Sequence, residues 1–431
     1  MNPAYAAYAA LSNGAFLPIY PLYWLKTRGS KQARLAFSQR MGCYSDARIT
    51  GISGAPRIWL HAVSVGEVRA AQAVIAALTR RVPRAAIILS TSTSHGQQAA
   101  REIMGARATC LFAPLDFTIS VRRALRTLQP RILVCLETEI WPNWLMAAHR
   151  LDIPTAIING RVSARSIRSY RKIRPLMRCV LESVSAFSMI HEADAGRLME
   201  LGAPADRVRV NGNAKSDLLL EQVTRADLGR LKSLYGVKEA QSVIVAGSTR
   251  GEEPRIVLNS YRRVCACFPD ALLIIVPRHV ENALKIREHA LSLGMTCQLR
   301  SELAHSGNSR NASVVVVDIM GELQSLYGIA TVVFCGGSIA PLGGQNILEA
   351  AAWGKPVLYG PSMEDFPDAR ELLEKNEAAV EVANEKELTE KILHYLSNPG
   401  DAEALGYRAR QVSLSTGGAA DRHAEVICSL L

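Results

Sequence analysis

No two of the nine cysteines in this 431-residue chain are spaced as a CxxC pair, and neither a Walker loop nor a GxGxxG fingerprint occurs in it. The first absence argues against a zinc site or a disulfide framework. Cys110, Cys135 and Cys335 fall in apolar runs, where a reduced thiol packs as a small hydrophobe, and a reducing compartment fits. The second absence takes ground from nucleotide hydrolysis and nicotinamide chemistry. Acidic side chains are scarce in the first half: residues 1–215 hold 29 Lys and Arg against 12 Asp and Glu, whereas the remainder holds 21 against 27. So basic a half suits an anionic surface or an acidic acceptor. Nucleic acid is disfavoured as a partner, because no helix-turn-helix, zinc-finger, RNA-binding or OB signature accompanies the charge.

Charge is missing altogether from residues 1–25, which are largely apolar with Tyr20, Tyr23 and Trp24 near their end. Lys26, Arg28, Lys31 and Arg34 follow at once. About 20 apolar residues suffice to cross a bilayer, and a basic flank stays on the cytoplasmic side. A cleavable signal peptide would carry its positive charge ahead of the apolar stretch. Residues 1–25 are therefore expected to be a membrane anchor segment, although Gly14, Pro18 and Pro21 weaken a straight spanning helix. The alternative is a first helix packed on the domain.

With 48% hydrophobic and 21% charged residues, the chain is globular and long enough for two domains. Val/Ile/Leu-rich runs alternate with helical stretches, as fully buried parallel strands do. They fall at 58–62, 86–90, 132–136, 155–159, 187–190 and 208–210, then at 243–247, 272–276, 314–318, 332–335 and 357–359. Residues 216–237 are polar and helical, a connection between two doubly wound domains, 26–215 and 216–431.

The most informative stretch is Gly336-Gly337-Ser338-Ile339-Ala340-Pro341-Leu342-Gly343-Gly344-Gln345-Asn346-Ile347-Leu348-Glu349, between a strand and a helix expected over 347–353. Glycine lets backbone approach a ligand, and a helix start offers unpaired amides to a phosphate. Asn346 and Glu349, three apart, share one face, where a carboxylate can accept from a ribose diol. This is nucleotide chemistry at the carboxyl edge of a sheet; the bland alternative is a turn that binds nothing. Gly247-Ser248-Thr249 likewise offers hydroxyls and amides to a phosphate.

Trp59-Leu60-His61-Ala62-Val63-Ser64-Val65-Gly66-Glu67 is again strand, small-residue turn and helix start, with a carboxylate at the turn. Glu67 is the best candidate base; otherwise it is a helix-terminus carboxylate worth about 0.3–1 kcal/mol. Glu137 and Glu139 end a buried strand beside Trp141-Pro142, so one is expected to be raised in pKa or paired with a cation.

Together with Glu137-Thr138-Glu139-Ile140-Trp141-Pro142-Asn143, Asn159-Gly160-Arg161-Val162-Ser163, Gly212-Asn213-Ala214-Lys215-Ser216-Asp217 and Val276-Pro277-Arg278-His279, these motifs resemble the 3-deoxy-D-manno-oct-2-ulosonic acid (Kdo) transferases of lipopolysaccharide assembly. The resemblance covers essentially the whole chain, with the motifs in the family's order. It implies an α/β fold of glycosyltransferase B architecture, two Rossmann-like domains facing across a cleft, the first binding acceptor and the second the CMP-sugar. It maps the catalytic base onto Glu67 and a transition-state role onto Glu137 and Lys215, leaving Glu139 structural. It assigns Pro277, Arg278, Met320, Gly321, Glu322, Asn346, Ile347, Leu348 and Glu349 to the cytidine monophosphate of CMP-Kdo. Ser248, Thr249, Gly344 and Gln345 join that donor set. No DxD motif occurs, in keeping with the family's transfer without metal or cofactor.

The acceptor side is read from charge. From 161 to 178 there are seven basic residues and no acid, and Arg161, Arg165, Arg168 and Lys172 are expected to share one helix face. A phosphorylated lipid A precursor, met at the anionic cytoplasmic face of an inner membrane, would explain this run and the apolar leader together; a solvated face is the alternative. A soluble sugar-nucleotide epimerase of the same architecture would explain only the second half. A non-catalytic membrane scaffold would leave the nucleotide motifs without use.

Overall fold

The apolar runs become the strands of two all-parallel sheets in the computed structural model, which describes residues 2–27, 29–45, 49–137, 139–304 and 310–431. The chain divides into two units: Met1–Leu218 with Gly417–Leu431, and Leu219–Thr416. The expected boundary after residue 215 falls three residues early, and the last fifteen residues, expected in the second domain, belong to the first.

In the first unit the strands are β1 (Arg57–His61), β2 (Ala86–Thr91), β3 (Thr109–Phe112), β4 (Ile132–Leu136), β5 (Thr155–Gly160), β6 (Ala186–Met189) and β7 (Val208–Val210), in the spatial order β3-β2-β1-β4-β5-β6-β7. Side chains alternate across the sheet, as the two-residue period of a strand requires. Ile58 and Leu60 of β1 point into one core with Val74 and Leu78 of the helix Val65–Arg81. Trp59 points the other way, 5.1 Å from Trp144 between ring centroids. The helix Ala419–Cys428 lies on the first of these faces and buries Ala420, Ala424 and Ile427 there. A fully buried side chain of the size of Ile427 contributes about 1.5–3 kcal/mol.

The second unit repeats the plan with β8 (Val243–Thr249), β9 (Leu272–Pro277), β10 (Cys297–Leu299), β11 (Val314–Val316), β12 (Val332–Cys335), β13 (Val357–Tyr359) and β14 (Val380–Glu381), ordered β10-β11-β9-β8-β12-β13-β14. Val243 and Val245 face one core, Ile244 and Ala246 the other. The strand order reverses between β1 and β4 in the first sheet and between β8 and β12 in the second, where β11 is also inserted between β10 and β9. Open parallel sheets bind ligands at such switch points, beyond the carboxyl ends of the strands.

Residues Pro3–Thr27 form one helix with Pro18 and Pro21 inside it. Among the described residues no helix is long and apolar enough to cross a membrane. Tyrosines, Ser12 and Asn13 dilute the apolar run, and several of them bind the domain. Tyr5 is buried with its hydroxyl donating to Asn143 Oδ1, Tyr8 donates to Asp116 Oδ2 at 2.7 Å, and Asn13 Nδ2 donates to Thr118 Oγ1. Other side chains stand out from the protein, Leu11 at 75% exposure and Trp24 at 48% among them. Arg28 of the basic flank and Thr138 of the Glu137 motif lie outside the described residues.

Candidate active site

At the switch point of the first sheet, three segments bring their carboxyl-end residues together. Glu67 stands in the first turn of the helix that follows β1, capped by Ser64, whose Oγ accepts from the Glu67 amide. Its carboxylate accepts from the Val63 amide at 2.7 Å and from Ser64 Oγ at 3.0 Å. The capping geometry is therefore real, and it also fixes the carboxylate. Burial raises the Glu67 pKa above the ordinary carboxylate value, and the negative charge of Glu137 adds to the rise. The Val63 and Ser64 hydrogen bonds and the Lys215 ammonium work against it.

Glu137 follows β4 directly and holds a left-handed backbone, φ +56°. A side chain held in that region costs of order 1 kcal/mol and is tolerated where the surroundings over-determine it, often at functional sites. Its Oε1 accepts from Lys215 Nζ at 2.7 Å. The ammonium also passes close to the Glu67 turn, 3.8 Å from where a β-carbon on Gly66 would lie. The acidic pair expected to repel is resolved in both available ways. Glu137 takes the cation, while Glu139 is pushed up to about 7, chiefly by burial and then by the charge of Glu67, with Trp141 Nε1 donating to it at 2.7 Å.

Lys215 is positioned by groups to which the sequence reading gave no role. Asn159, at the end of β5 with φ +50°, is fully buried and accepts from the Ala214 amide at 2.9 Å. Asn213 Oδ1 accepts from the Lys215 amide. From the other side the C-terminal helix grips the same loop. Asp217 accepts from the amides of Gly418 and Ala420, so it caps that helix across some 200 residues of sequence. His423, fully buried, contacts Gly212 O through Nε2 at 3.0 Å and Ser188 Oγ through Nδ1 at 2.6 Å. Asn211 Nδ2 donates to that same hydroxyl, which leaves Ser188 its own proton for His423 Nδ1 and puts the ring proton on Nε2. The signal for this grip was a single His and a single Asp, each indistinguishable in sequence from a surface residue.

In the second unit, Ser248 (φ +52°) and Thr249 close β8 at an irregularity in its pairing with β9, where Thr249 lies opposite Pro277. The Arg278 amide donates to Thr249 O. These four donor-set residues are therefore neighbours. Beside them opens a groove of about 370 Å³ lined by Thr249, Arg250, Pro277, Lys285 and His289. Thr249 Oγ1 is buried and has no hydrogen-bond partner among the described residues. Arg278 is exposed at the strand end.

Other members of the expected donor set act differently. Met320 is 77% exposed, and Gly321 has φ +100°. The Glu322 carboxylate is already engaged by Arg300, through both its oxygens, and by Tyr235 Oη at 2.8 Å, so this turn offers its backbone rather than a carboxylate. Ile347 is fully buried and Leu348 packs on the same core, so their side chains are structural and only their main chain is available. The helix expected over 347–353 is a single turn, Leu348–Ala351, with Asn346 Oδ1 accepting from the Leu348 amide.

The glycine-rich loop is also divided in use. The amides of Gly337, Ser338 and Ile339 donate to the carboxylate of buried Glu253, whereas the phosphate was expected at the helix-start amides further on. The basic run is likewise rearranged: Arg165, Arg168 and Lys172 are exposed on the helix Ala164–Lys172, but Arg161 precedes it, because Ser163 caps its start.

The family model described as 3-deoxy-D-manno-octulosonic-acid transferase (kdotransferase) matches residues 35–218, and a glycosyl transferase-like model matches residues 344–427. A 3-deoxy-D-manno-octulosonic acid transferase of Haemophilus influenzae is 30% identical over 91% of each chain. One of Bordetella pertussis is 31% identical over 93% of this chain and 94% of its own. Among solved structures, a UDP-GlcNAc 2-epimerase from Neisseria meningitidis superimposes with a TM-score of 0.62 over 87% of this chain and all of its own, at 15% identity. That likeness concerns the fold alone.

Proposed function

Because the chain belongs to the 3-deoxy-D-manno-octulosonic acid (Kdo) transferase family, we propose that it is an inverting transferase moving Kdo from CMP-Kdo to a lipid A precursor, lipid IVA, with release of CMP. The observation that carries this reading is the meeting of Glu67, Glu137 and Lys215 at the switch point of the first sheet.

Glu67 takes the proton of a primary hydroxyl on the glucosamine disaccharide. The oxygen forms its bond to the anomeric carbon of Kdo as the bond from that carbon to the phosphate oxygen breaks, and CMP leaves with the electron pair. A base works best with a pKa near the operating pH, and the buried setting moves Glu67 that way. The hydrogen bonds from Val63 and Ser64 hold the carboxylate still for the transfer. Lys215, oriented by Glu137, supplies positive charge to the donor's carboxylate or phosphate as charge develops there. Ser248, Thr249, Pro277 and Arg278 bind the donor, with the backbone of Met320, Gly321 and Glu322 on the pyrimidine and Gly344, Gln345, Asn346 and Glu349 on the phosphate and ribose.

Arg165, Arg168 and Lys172, with Arg161 before them, gather the phosphorylated acceptor. The first helix rests on the cytoplasmic face of the inner membrane by its outward side chains Leu11, Tyr20, Trp24 and Leu25, a peripheral attachment supported by their exposure. The test is incubation of purified protein with CMP-Kdo and lipid IVA in mixed micelles. Stoichiometric CMP release with a lipid product heavier by Kdo is expected. Absence of both, or epimerisation of UDP-GlcNAc in the parallel reaction, would overturn the reading.

A further inference from the structure

Glu253 opens the helix Glu253–Cys267 and is completely buried, yet no cationic side chain pairs with it among the described residues. Its charge is met by main-chain amides. Oε2 accepts from Arg250 N at 2.9 Å and from Gly337 N at 2.5 Å. Oε1 accepts from Ser338 N at 2.8 Å and Ile339 N at 2.9 Å, with Ala340 N farther off at 3.4 Å. Successive amides curled around one point make an anion-binding nest, and a buried carboxylate is tolerable only when so satisfied. Gly336 permits the approach: a β-carbon there would stand 2.8 Å from Glu253 Oε2 and 2.7 Å from Thr249 Cα.

The anion therefore belongs to the protein, and the loop carries it before any ligand arrives. Two contacts pass this order on. Gly344 N donates to Gly337 O at 2.7 Å, and Arg250 Nη1 donates to Leu342 O at 3.0 Å. Beyond them, the amides of Gln345, Asn346 and Ile347 donate to no group among the described residues.

We propose that Glu253 is a positioning residue, an internal anion around which residues 336–342 fold so that residues 344–349 are held ready for the phosphate and ribose of the donor nucleotide. This rests on the reading of the second unit as the donor site. It gives one carboxylate control of two strand-end loops, after β8 and after β12, that meet at the switch point.

Calorimetric titration of the full chain with CMP tests it. Glu253→Gln keeps the shape but turns an amide NH₂ toward donors, so CMP affinity should fall by about tenfold or more. Donor KM should rise correspondingly, with acceptor KM unchanged and kcat at saturating donor changed less. In Glu253→Ala, added formate should restore CMP binding and the neutral isostere formamide should not, a readout that simple loss of packing would not give. If Glu253→Ala does not fold, the isosteric Gln variant decides alone. Wild-type CMP affinity in a folded Gln variant, or equal rescue by formate and formamide, would overturn the proposal. Failure of the wild type itself to bind CMP would instead remove the donor reading, and this inference with it.

Discussion

Lys215 and Glu137 are 78 residues apart in sequence, and the ammonium of one donates to the carboxylate of the other at 2.7 Å. Both side chains retain solvent contact, so the pair contributes little to stability, in the range of about 0–1 kcal/mol for exposed ion pairs. Its use is orientation. Lys215→Ala should lower kcat strongly while leaving the melting temperature nearly unchanged, and Glu137→Ala should do the same. Because the two act as one unit, the double variant should lose little more than either single one. Additive losses in kcat would show that they work separately.

Replacing Glu67 by Gln should reduce transfer by about 10²–10⁴-fold, the usual contribution of a general base. Donor-nucleotide binding should survive, since none of its expected contacts involves the β1 turn. Single-turnover transfer beside CMP titration separates the two quantities; near-wild-type turnover would remove Glu67 from the base role. In the wild type, the acid limb of kcat/KM should lie above the ordinary glutamate pKa, in the direction that burial moves Glu67.

Arg278→Ala and Glu349→Ala should each weaken CMP binding without unfolding the protein. Arg278 follows β9 and Glu349 stands in the helical turn Leu348–Ala351, and the backbone of each is held by other groups, the Arg278 amide by Thr249 O and the Glu349 amide by Asn346 O. Unchanged calorimetric affinity in both variants would move the nucleotide elsewhere.

Neutralising Arg165, Arg168 and Lys172 together should raise the acceptor KM and leave CMP affinity alone. Attraction of this kind is screened over roughly 8–10 Å at ordinary salt. Wild-type acceptor KM should therefore climb with ionic strength, and the triple variant's should climb less. Kinetics in mixed micelles at low and high salt would reveal a merely solvated face by parallel curves.

His423 predicts a pH dependence of stability. Burial holds its pKa down at about 4, against 6.5 for the free side chain, with both ring nitrogens already committed. Above pH 6.5 neither folded nor unfolded chain binds the proton. As pH falls from 6.5 toward 4, only the unfolded chain does, so stability is lost, by about 3 kcal/mol in all. His61, equally buried and also lowered to about 4, acts in the same direction. The stability advantage of wild type over His423→Gln should therefore be greatest near pH 7 and shrink toward pH 4.5. Denaturant unfolding at a series of pH values measures it; a constant difference would exclude the linkage.

The strands legible in the sequence have neighbours on both sides, except β7 at one edge of the first sheet. Residues 58–62, 132–136, 243–247 and 272–276 are buried on both faces and read as unbroken apolar runs. The three strands that were missed, β3, β10 and β14, all lie at sheet edges. An edge strand has one partner and more solvent, so Thr109, Gln298 and Glu381 interrupt its apolar pattern and shorten it. The meeting of the candidate residues was legible for a related reason. Glu67, Glu137 and Lys215 each follow a recognisable strand, and the carboxyl ends of parallel strands converge by topology alone. Glu253 and His423 were not legible, because what they do depends on amides and carbonyls 84 and 211 residues away. The glycine-rich loop shows the limit of local reading: it does bind an anion, but the anion comes from its own chain.

The return of the final helix to the first unit has a consequence for synthesis. Ala420, Ala424 and Ile427 complete a core begun by Ile58 and Leu60, yet the ribosome reaches them only after the second unit. The whole second unit, residues Leu219–Thr416, must be translated in between. At about 5–20 residues per second that interval is roughly 10–40 s. For that time the nascent first unit carries an uncovered apolar face and a Lys215 loop without its clamp. Nascent chains arrested before Gly417 should therefore be bound by hydrophobic-surface chaperones, and chains arrested with the last helix outside the ribosome should be released from them.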